Sequence, residues 1–374
     1  MKKLISLVLV CLIALGAFSA AFAEEATFEG KIGILYTNVA TNEEEYRAAL
    51  NVQEKYGEDK ILIMSQPANK DTDTFISLAQ GFAADPEMKA IIICQASSGS
   101  IAVCKAIREM RDDILIVCGG MTEELDQISG VMDIGFQKAA IGQADQIVNE
   151  AIAMGATYLV HYAYPSGMSG QVTFDKYEEM ERLCAEKGIG FELVYTPDPY
   201  NDAGGIPAAQ QFIIEDVRSK VNEHGKDTAF YGTAFVYQEP LIKTVAEEGA
   251  IFTQQSDPSP FNGFPSALGI EIPEDKTGDT EYMLNAITEK VAELGMTGRM
   301  GTWSFALFPM FVEAGAEYAI AYMNGETDGK VDYDVLKEKF DEYAQANITL
   351  EAYTNKSGET FDNVIYVLGE YYKF

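Results

Sequence analysis

Short apolar runs recur along the chain, and longer segments with helical spacing separate them. The runs are nearly continuous, which is typical of strands in a parallel sheet that helices cover on both faces. In the first third they fall at 31–36, 61–64, 90–94 and 114–118, with helical segments at 43–56, 74–84 and 101–111. This alternation of strand and helix predicts a doubly wound α/β sheet.

The pattern restarts after a further strand at 131–135 and a helix at 138–154. Strands follow at 158–162, 191–195, 228–231 and 250–252, with helices at 176–187, 207–221, 239–248 and 280–294. A chain of roughly 350 residues is also too long for one ordinary core. The sequence therefore predicts an α/β fold of two doubly wound parallel-sheet lobes.

The first 23 residues have the pattern of an export signal. Lys2 and Lys3 precede an apolar run at 4–15, and Ala21-Phe22-Ala23 is a small-x-small cleavage site. The run is short for a membrane span. We expect cleavage after Ala23 and a periplasmic or extracellular protein.

The charge and the cysteines narrow the function classes. The chain has 27 basic and 58 acidic residues, a net charge of −31, which disfavours nucleic acid and anionic membranes as partners. With two histidines and no Cys-x-x-Cys, we expect neither a metal nor a cofactor. The pairing of the four cysteines beyond the leader, Cys94, Cys104, Cys118 and Cys184, stays open.

Motifs for catalysis are also missing from the sequence. It has no P-loop, no Gly-x-Gly-x-x-Gly after the first strand and no Gly-x-Ser-x-Gly nucleophile elbow. Paired carboxylates such as Glu123-Glu124 have the appearance of solvated helix faces. We therefore expect a protein that catalyses nothing.

The order of these segments resembles that of the type I periplasmic-binding-protein superfamily, and the resemblance is specific in this order and not in any single motif. The resemblance rests on the strand at 31–34, Gln95-Ala96-Ser97-Ser98, Gly119-Gly120-Met121, Asp133-Ile134-Gly135-Phe136 and Gly301-Thr302-Trp303. The segments Asp257-Pro258-Ser259-Pro260 and Trp303 suggest an uncharacterised bacterial branch. The resemblance implies lobe one at 27–136 plus 303–374, lobe two at 137–302, and a hinge near Gly135 and Thr302, with a third crossing toward the C-terminus.

In open parallel sheets, ligands bind beyond the carboxyl ends of the strands, so residues at those ends are the candidate contacts. In lobe one these are Tyr36, Thr37, Asn38, Gln95, Ser97, Ser98 and Met121. In lobe two and at the crossing they are His161, Tyr164, Ser166, Asp198, Phe235, Asp257 and Trp303. The aromatic rings suit a ring-shaped polar ligand, and a nucleoside or sugar is favoured.

Structural roles compete with these assignments. Ser97 and Ser98 fit a helix N-cap, Asp198 fits a turn, and a lone histidine such as His161 is more often a core or rim residue. By abundance, we expect about half of the candidate rings to be core. Trp303 is the strongest of them, because it is the single tryptophan and falls at a predicted crossing.

The resemblance implies a monomeric solute-binding protein that serves an ABC transporter permease. An amino acid or short peptide is the next ligand class, with Asp198 or Asp257 meeting an ammonium. An extracellular sensor for a membrane receptor has the same sequence features, and an extracellular enzyme is a third alternative. A transcription regulator is opposed by the leader and by the lack of a helix-turn-helix before Lys31.

Overall fold

The computed structural model describes residues 28–39, 42–67 and 71–374. The predicted leader and its cleavage site lie outside these ranges. Within them, no helix combines the length and the apolar character needed to cross a membrane.

Thirteen strands and twelve α-helices make up the described fold. The strands are β1 Lys31–Tyr36, β2 Ile61–Ser65, β3 Met88–Ile93, β4 Leu115–Gly119, β5 Ile134–Lys138, β6 Tyr158–Ala163, β7 Gly190–Tyr195, β8 Thr228–Gly232, β9 Ile251–Phe252, β10 Gly301–Trp303, β11 Ile348–Thr354, β12 Thr360–Gly369 and β13 Tyr371–Lys373. The helices are α1 Glu43–Tyr56, α2 Thr72–Ala83, α3 Ser100–Met110, α4 Leu125–Ile128, α5 Ala140–Ala153, α6 Gln171–Lys187, α7 Gly205–His224, α8 Gln238–Glu248, α9 Phe264–Leu268, α10 Thr280–Glu293, α11 Leu307–Met323 and α12 Tyr333–Ala344.

Lobe one is built on a seven-stranded sheet in the order β11-β12-β5-β4-β3-β1-β2. All neighbours are parallel except β11, which pairs antiparallel with β12 at one edge. One apolar core joins the sheet to α1, α11 and α12, and a second joins its other face to α2, α3 and α4. The apolar runs are continuous because both faces of these strands are buried.

Lobe two repeats the arrangement on a smaller sheet in the order β7-β6-β8-β9, which is parallel throughout. Helices α5 and α6 pack on one face, and α7 to α10 pack on the other. The predicted fold class, two doubly wound lobes, is confirmed.

Three connections between the lobes occur in the described chain: β5 to α5, β10 to α11, and β12 to β13. Strand β10 pairs antiparallel with β13, so two of the crossings support each other. Phe374 packs its ring 5.2 Å from that of Phe264 in the core of lobe two. The lobe boundaries taken from the sequence stay a prediction, and this packing places the last residues beside lobe two.

The four described cysteines are buried free thiols. Cys104 and Cys118 are close neighbours, with their sulfur atoms 3.9 Å apart. That separation is well beyond a disulfide bond of about 2.05 Å. The side chains of Cys104 and Cys118 both pack as small apolar groups in the second core of lobe one.

Candidate ligand-binding cleft

The carboxyl ends of both sheets face each other across a cleft, and the lobes are in contact there. Ser259 Oγ donates to a carboxylate oxygen of Glu44 over 2.7 Å, and Leu307 N donates to Pro258 O over 3.1 Å. The structure is therefore a closed arrangement of the two lobes.

Lobe one contributes two carboxylates from the first turn of α1. The Asn42 side chain caps this helix by accepting from Glu45 N, and acidic residues are favoured at a helix N-terminus. Glu45 is fully buried, and its Oε2 accepts from both the backbone N and the hydroxyl of Thr37. Glu44 faces lobe two and accepts from Ser259.

Both carboxyl groups are harder to ionise than usual. Burial raises the pKa of Glu45 to about 7, although the Thr37 hydrogen bonds and the neighbouring Gln95 amide lower it. Burial also raises the pKa of Glu44 to about 7 against the Ser259 hydrogen bond, and the charges of Glu45 and Asp257 add to this.

Lobe two presents a buried segment, residues 253–262, which we call the cleft loop. Gln255 holds it together by donating from Nε2 to the carbonyl oxygens of Ser259 and Asn262, each over 2.8 Å. Thr302 in β10 donates to Gln255 Oε1 over 2.7 Å. The loop is thereby fixed to a crossing strand, with Asp257 and Ser259 directed at lobe one.

Lys138, the last residue of β5, connects a crossing to the cleft loop. Its ammonium forms an ion pair with Asp257 and donates to Ser256 O over 3.1 Å. The two side chains of the pair are only 12% and 15% exposed. We call Glu44, Glu45, Lys138, Asp257 and Ser259 the cleft cluster.

A second row of polar groups lies beneath the cleft loop in lobe two. Lys176 of α6 is 1% exposed and donates from Nζ to Gln143 Oε1 over 2.7 Å. Gln143 Nε2 in turn donates to Ser256 O over 3.1 Å. Burial, together with the charge of Lys138, lowers the pKa of Lys176 well below its ordinary value, so its charged form is disfavoured.

His161 lies on β6 beside this row and is fully buried. Its Nε2 shares a hydrogen bond of 2.6 Å with Thr233 Oγ1, while Nδ1 has no partner in the described part of the chain. Burial lowers the pKa of His161 to about 3, and the charge of Lys176 lowers it further. The imidazole is therefore neutral at physiological pH.

The structure brings only some of the sequence candidates to the cleft cluster. Thr37 and Gln95 touch or adjoin Glu45, and Asp257 belongs to the cluster itself. Tyr36, at the end of β1, packs its ring at a tilt against that of Tyr46 in the first turn of α1, with the ring centroids 4.9 Å apart.

The other candidates from lobe one make contacts within lobe one or are exposed. The Asn38 carbonyl accepts from Asn42 N, Ser97 Oγ lies 3.4 Å from Gln66 Oε1, and Ser98 is exposed. Met121 is buried in the second core of lobe one.

Most candidates from lobe two form a neighbourhood of their own. Tyr164 packs edge-on against Tyr200 and Tyr237, and Phe235 begins a 3₁₀ turn that ends at Tyr237. Asp198 accepts from the backbone N of Ser166, Tyr200 and Asn201, the turn role that competes with ligand contact. Burial raises the pKa of Asp198, but these hydrogen bonds outweigh it and lower the pKa to about 2.

Trp303 lies at a crossing, as its sequence position suggests, but its ring belongs to the core of lobe one. It is fully buried, 5.6 Å from the ring of Phe305, and its Nε1 donates to Gln146 Oε1 over 2.6 Å. The structure leaves no face of this ring open to the cleft.

Sequence reasoning missed five polar residues of the cleft and of the row beneath it: Glu44, Glu45, Lys138, Gln143 and Lys176. Two signals were available. Glu44 and Glu45 lie in the first turn of the helix that follows β1, and Lys138 is the last residue of β5. Nothing in the sequence marks Lys176 or Gln143 as buried, because both occupy ordinary amphipathic helices.

The raised pKa values of Glu44 and Glu45 predict a pH dependence of the ligand-free protein. An acid whose pKa is raised on burial contributes stability that is complete below its unfolded pKa of about 4.3 and is lost as the pH rises. Stability should fall through pH 7, by on the order of 2–3 kcal/mol for the buried Glu45 carboxyl. Urea unfolding between pH 5 and pH 8 measures this.

The control separates this effect from His161. Because its pKa is lowered, His161 removes stability as the pH falls below about 6.5, which is the opposite direction. A Glu44→Gln/Glu45→Gln variant should lose the decline above pH 5, and Glu43→Gln, at an exposed residue that pairs with Arg47, should keep it. An unchanged profile in the double variant would contradict the assignment.

Two parallel sheets with a cleft between their carboxyl ends and three crossing connections define the type I periplasmic-binding-protein fold. Similar solved structures include a sugar ABC transporter protein from Actinomyces odontolyticus ATCC 17982, at 10% identity and a TM-score of 0.53 over 92% of this chain and 95% of that one. Another is a periplasmic solute-binding protein from Actinobacillus succinogenes 130z with bound D-allose, at 14% identity and a TM-score of 0.53 over 82% and 99%. A putative transcriptional regulator from Clostridium difficile 630 gives a TM-score of 0.80 at 21% identity over 93% and 99%. These identities establish the shared fold alone.

Residues 30–301 match the family described as protein of unknown function (DUF3798), and the chain belongs to that family. An uncharacterised protein of Treponema pallidum (strain Nichols) is 27% identical over 192 residues, 51% of this chain and 87% of that protein. The predicted resemblance, a type I fold in an uncharacterised branch, is confirmed.

Proposed function

We propose that the protein is an exported solute-binding protein that captures a small polar ligand between its lobes and delivers it to an ABC transporter permease. One observation carries the proposal. Side chains from lobe one, from a crossing and from lobe two meet in a single cleft cluster, where Ser259 contacts Glu44 and Lys138 contacts Asp257. A ligand held there contacts both lobes at once.

The ligand class we favour is a sugar or a nucleoside. Carboxylates, amides and hydroxyls in the cleft match a compound rich in hydroxyl groups, and Tyr36 and Tyr164 lie at the ends of strands on opposite sides. Two structures of the same fold, named for bound D-allose and L-rhamnose, support a sugar by analogy.

Closure of the lobes is the step that a permease would read. Few residues in the three crossings absorb the rotation, as is usual for a hinge. A ligand that contacts both lobes favours the closed state by its differential affinity for that state. Loaded and empty protein then differ in shape.

Nothing in the cleft requires a chemical step. His161 is neutral and hydrogen-bonded to Thr233, and Lys176 is held by Gln143. We therefore propose binding without turnover.

A thermal-shift screen against sugars, nucleosides, amino acids and short peptides tests this function. A ligand at a hundred times its dissociation constant stabilises the folded state by about 2.7 kcal/mol. We expect one chemical class to raise the melting temperature and the ligand to be recovered unchanged. No shift from any class, or recovery of a product, would reject the proposal.

A second contact between the lobes, remote from the cleft cluster, offers a test of lobe closure; we call this contact the latch. Lys356 of lobe one lies 2.9 Å from Asp175 and 3.2 Å from Glu178 of α6, and Gln171 donates to Tyr353 OH over 2.8 Å. Lys356→Glu should favour the open state and weaken ligand binding about two- to fivefold, because exposed ion pairs contribute at most about 1 kcal/mol each. Small-angle X-ray scattering and titration measure the two effects.

Lys339→Glu is the matched control, because Lys339 pairs with Glu338 and Glu342 inside a single helix of lobe one. It makes the same change in charge without touching lobe two. Equal effects of the two substitutions on affinity would show that net charge, and not the latch, is responsible.

A further inference from the structure

The charges of the cleft cluster do not balance. Its three carboxyl groups, those of Glu44, Glu45 and Asp257, face one ammonium, and Lys138 already pairs with Asp257. Glu44 and Glu45, whose pKa values burial raises to about 7, therefore have no cation that favours their ionised forms. In the described part of the chain, neither Glu44 nor Glu45 forms a salt bridge within 4.0 Å. Lys176, which lies beneath the cleft loop, has a lowered pKa and donates to Gln143.

Buried polar atoms without partners lie around the same cluster. Glu45 Oε1 and the hydroxyl of Tyr231 are both buried, and neither completes a well-formed hydrogen bond among the residues that the structure describes, although Gln95 adjoins Glu45 and Ser256 adjoins Tyr231. Tyr231 is fully buried and lies close to Ser256 and Asp257, on the side of lobe two. Of the eleven such atoms in the described ranges, four more belong to Thr253, Gln254 and Asn262 of the cleft loop.

Atoms of this kind are rare, because buried polar groups are nearly always hydrogen-bonded. Glu45 Oε1 of lobe one and the Tyr231 hydroxyl of lobe two both lie near Asp257, and each is able to accept a hydrogen bond. A donor with several hydrogens and a positive charge satisfies both and offsets the carboxylates at the same time.

On the basis of the proposed function, we propose that the ligand carries a protonated amine, which Glu44 and Glu45 bind from lobe one while Tyr231 accepts from it on lobe two. The amine replaces the contact between Ser259 and Glu44 or inserts beside it. Within the ligand class favoured above, this describes an amino sugar or another polar ring with an amino group. A neutral ring leaves both carboxyl groups without a cation and partly protonated, whereas an ammonium beside them favours their ionised forms.

Isothermal titration with matched probes tests the charge. The pairs are D-glucose with D-glucosamine and D-galactose with D-galactosamine, and N-acetyl-D-glucosamine keeps the nitrogen but not its charge. We expect the amine member of at least one pair to bind at least about tenfold more tightly than its neutral partners at pH 7. Any ligand that co-purifies with the full chain is identified by mass spectrometry and should contain an amine.

Variants link the preference to the carboxylates. Glu45→Gln keeps the shape of the side chain and an acceptor for Thr37 but removes the charge, so the preference for the amine should fall to about threefold or less. Glu44→Gln should act in the same direction. Glu43→Gln, one residue away and exposed in its pair with Arg47, is the matched control and should keep the full preference.

The outcomes separate this inference from the proposed function. Tighter binding of neutral sugars, or of neutral nucleosides alone, overturns the amine and leaves a solute-binding protein. Stabilisation by calcium chloride alone, or an unchanged preference in Glu45→Gln with a normal melting temperature, also overturns it. Binding of no probe, with no ligand co-purified, counts against both.

Discussion

Trp303→Ala should lower the free energy of unfolding by about 3–5 kcal/mol, the usual cost of removing a buried aromatic side chain. The ring is fully buried beside the crossings that connect the two lobes, and it packs against Phe305. A Cβ added at Gly369 would come within 2.5 Å of a Trp303 ring atom, so the β12 crossing is built closely around this ring. Truncation leaves a cavity that the hinge cannot fill without moving.

The same variant decides between a core residue and a ligand contact. As a core residue, Trp303→Ala should change ligand affinity less than about threefold at a temperature where it stays folded, and Trp303→Phe should recover much of the stability. Urea denaturation and titration of both variants measure this. A tenfold loss of affinity with little loss of stability would restore the sequence-based assignment of Trp303 to the binding site.

The fold could be predicted because the strands of its sheets have a clear pattern in the sequence. Strands such as β3 and β4 are buried on both faces, so their apolar runs are continuous, and the loops between elements are short. The antiparallel β11 and the return of β13 to lobe two were harder to foresee. Strand β13 pairs with β10, about 70 positions earlier, and the β11–β12 hairpin joins the sheet through the pairing of β12 with β5, about 230 positions earlier. No local pattern records contacts of this range.

The residues of the candidate cleft could be anticipated only in part, and the reason lies in the strand-end rule. The rule selects residues just past a strand, and Thr37, Gln95 and Asp257, which it selects, lie in the candidate cleft; their role in binding stays a prediction. It passes over residues that reach the cleft from a helix, such as Glu45 in the first turn of α1.

The rule also gives no direction for a side chain. It placed Trp303 at a crossing without indicating that the ring turns into the core. Lys176 was missed for the opposite reason. A lysine on an amphipathic helix is normally solvated, but the Lys176 side chain is buried, with 1% exposure. Its burial follows from the packing of α6 on α5, which is a tertiary contact.

Lys138→Met should be the most damaging substitution in the cleft. It removes the partner of Asp257 while the nearly isosteric side chain keeps the packing, and an unpaired buried charge costs about 3–5 kcal/mol. Glu44 and Glu45 lie near the same carboxylate, and without Lys138 no cation of the cleft cluster offsets the charge of Asp257. Chemical denaturation at pH 7 should record the loss.

The double variant Lys138→Met/Asp257→Asn isolates the charge. Replacing both members of a buried ion pair is often nearly neutral, so we expect the double variant to recover most of the stability that Lys138→Met loses. Lys330→Met is a matched control, because Lys330 pairs with Asp133 far from the cleft and is 44% exposed. If Lys138→Met were as stable as Lys330→Met, the ion pair would have no structural role. Lys138 would then be free to act on the ligand alone, and the charge balance of the closed cleft would need a different cation.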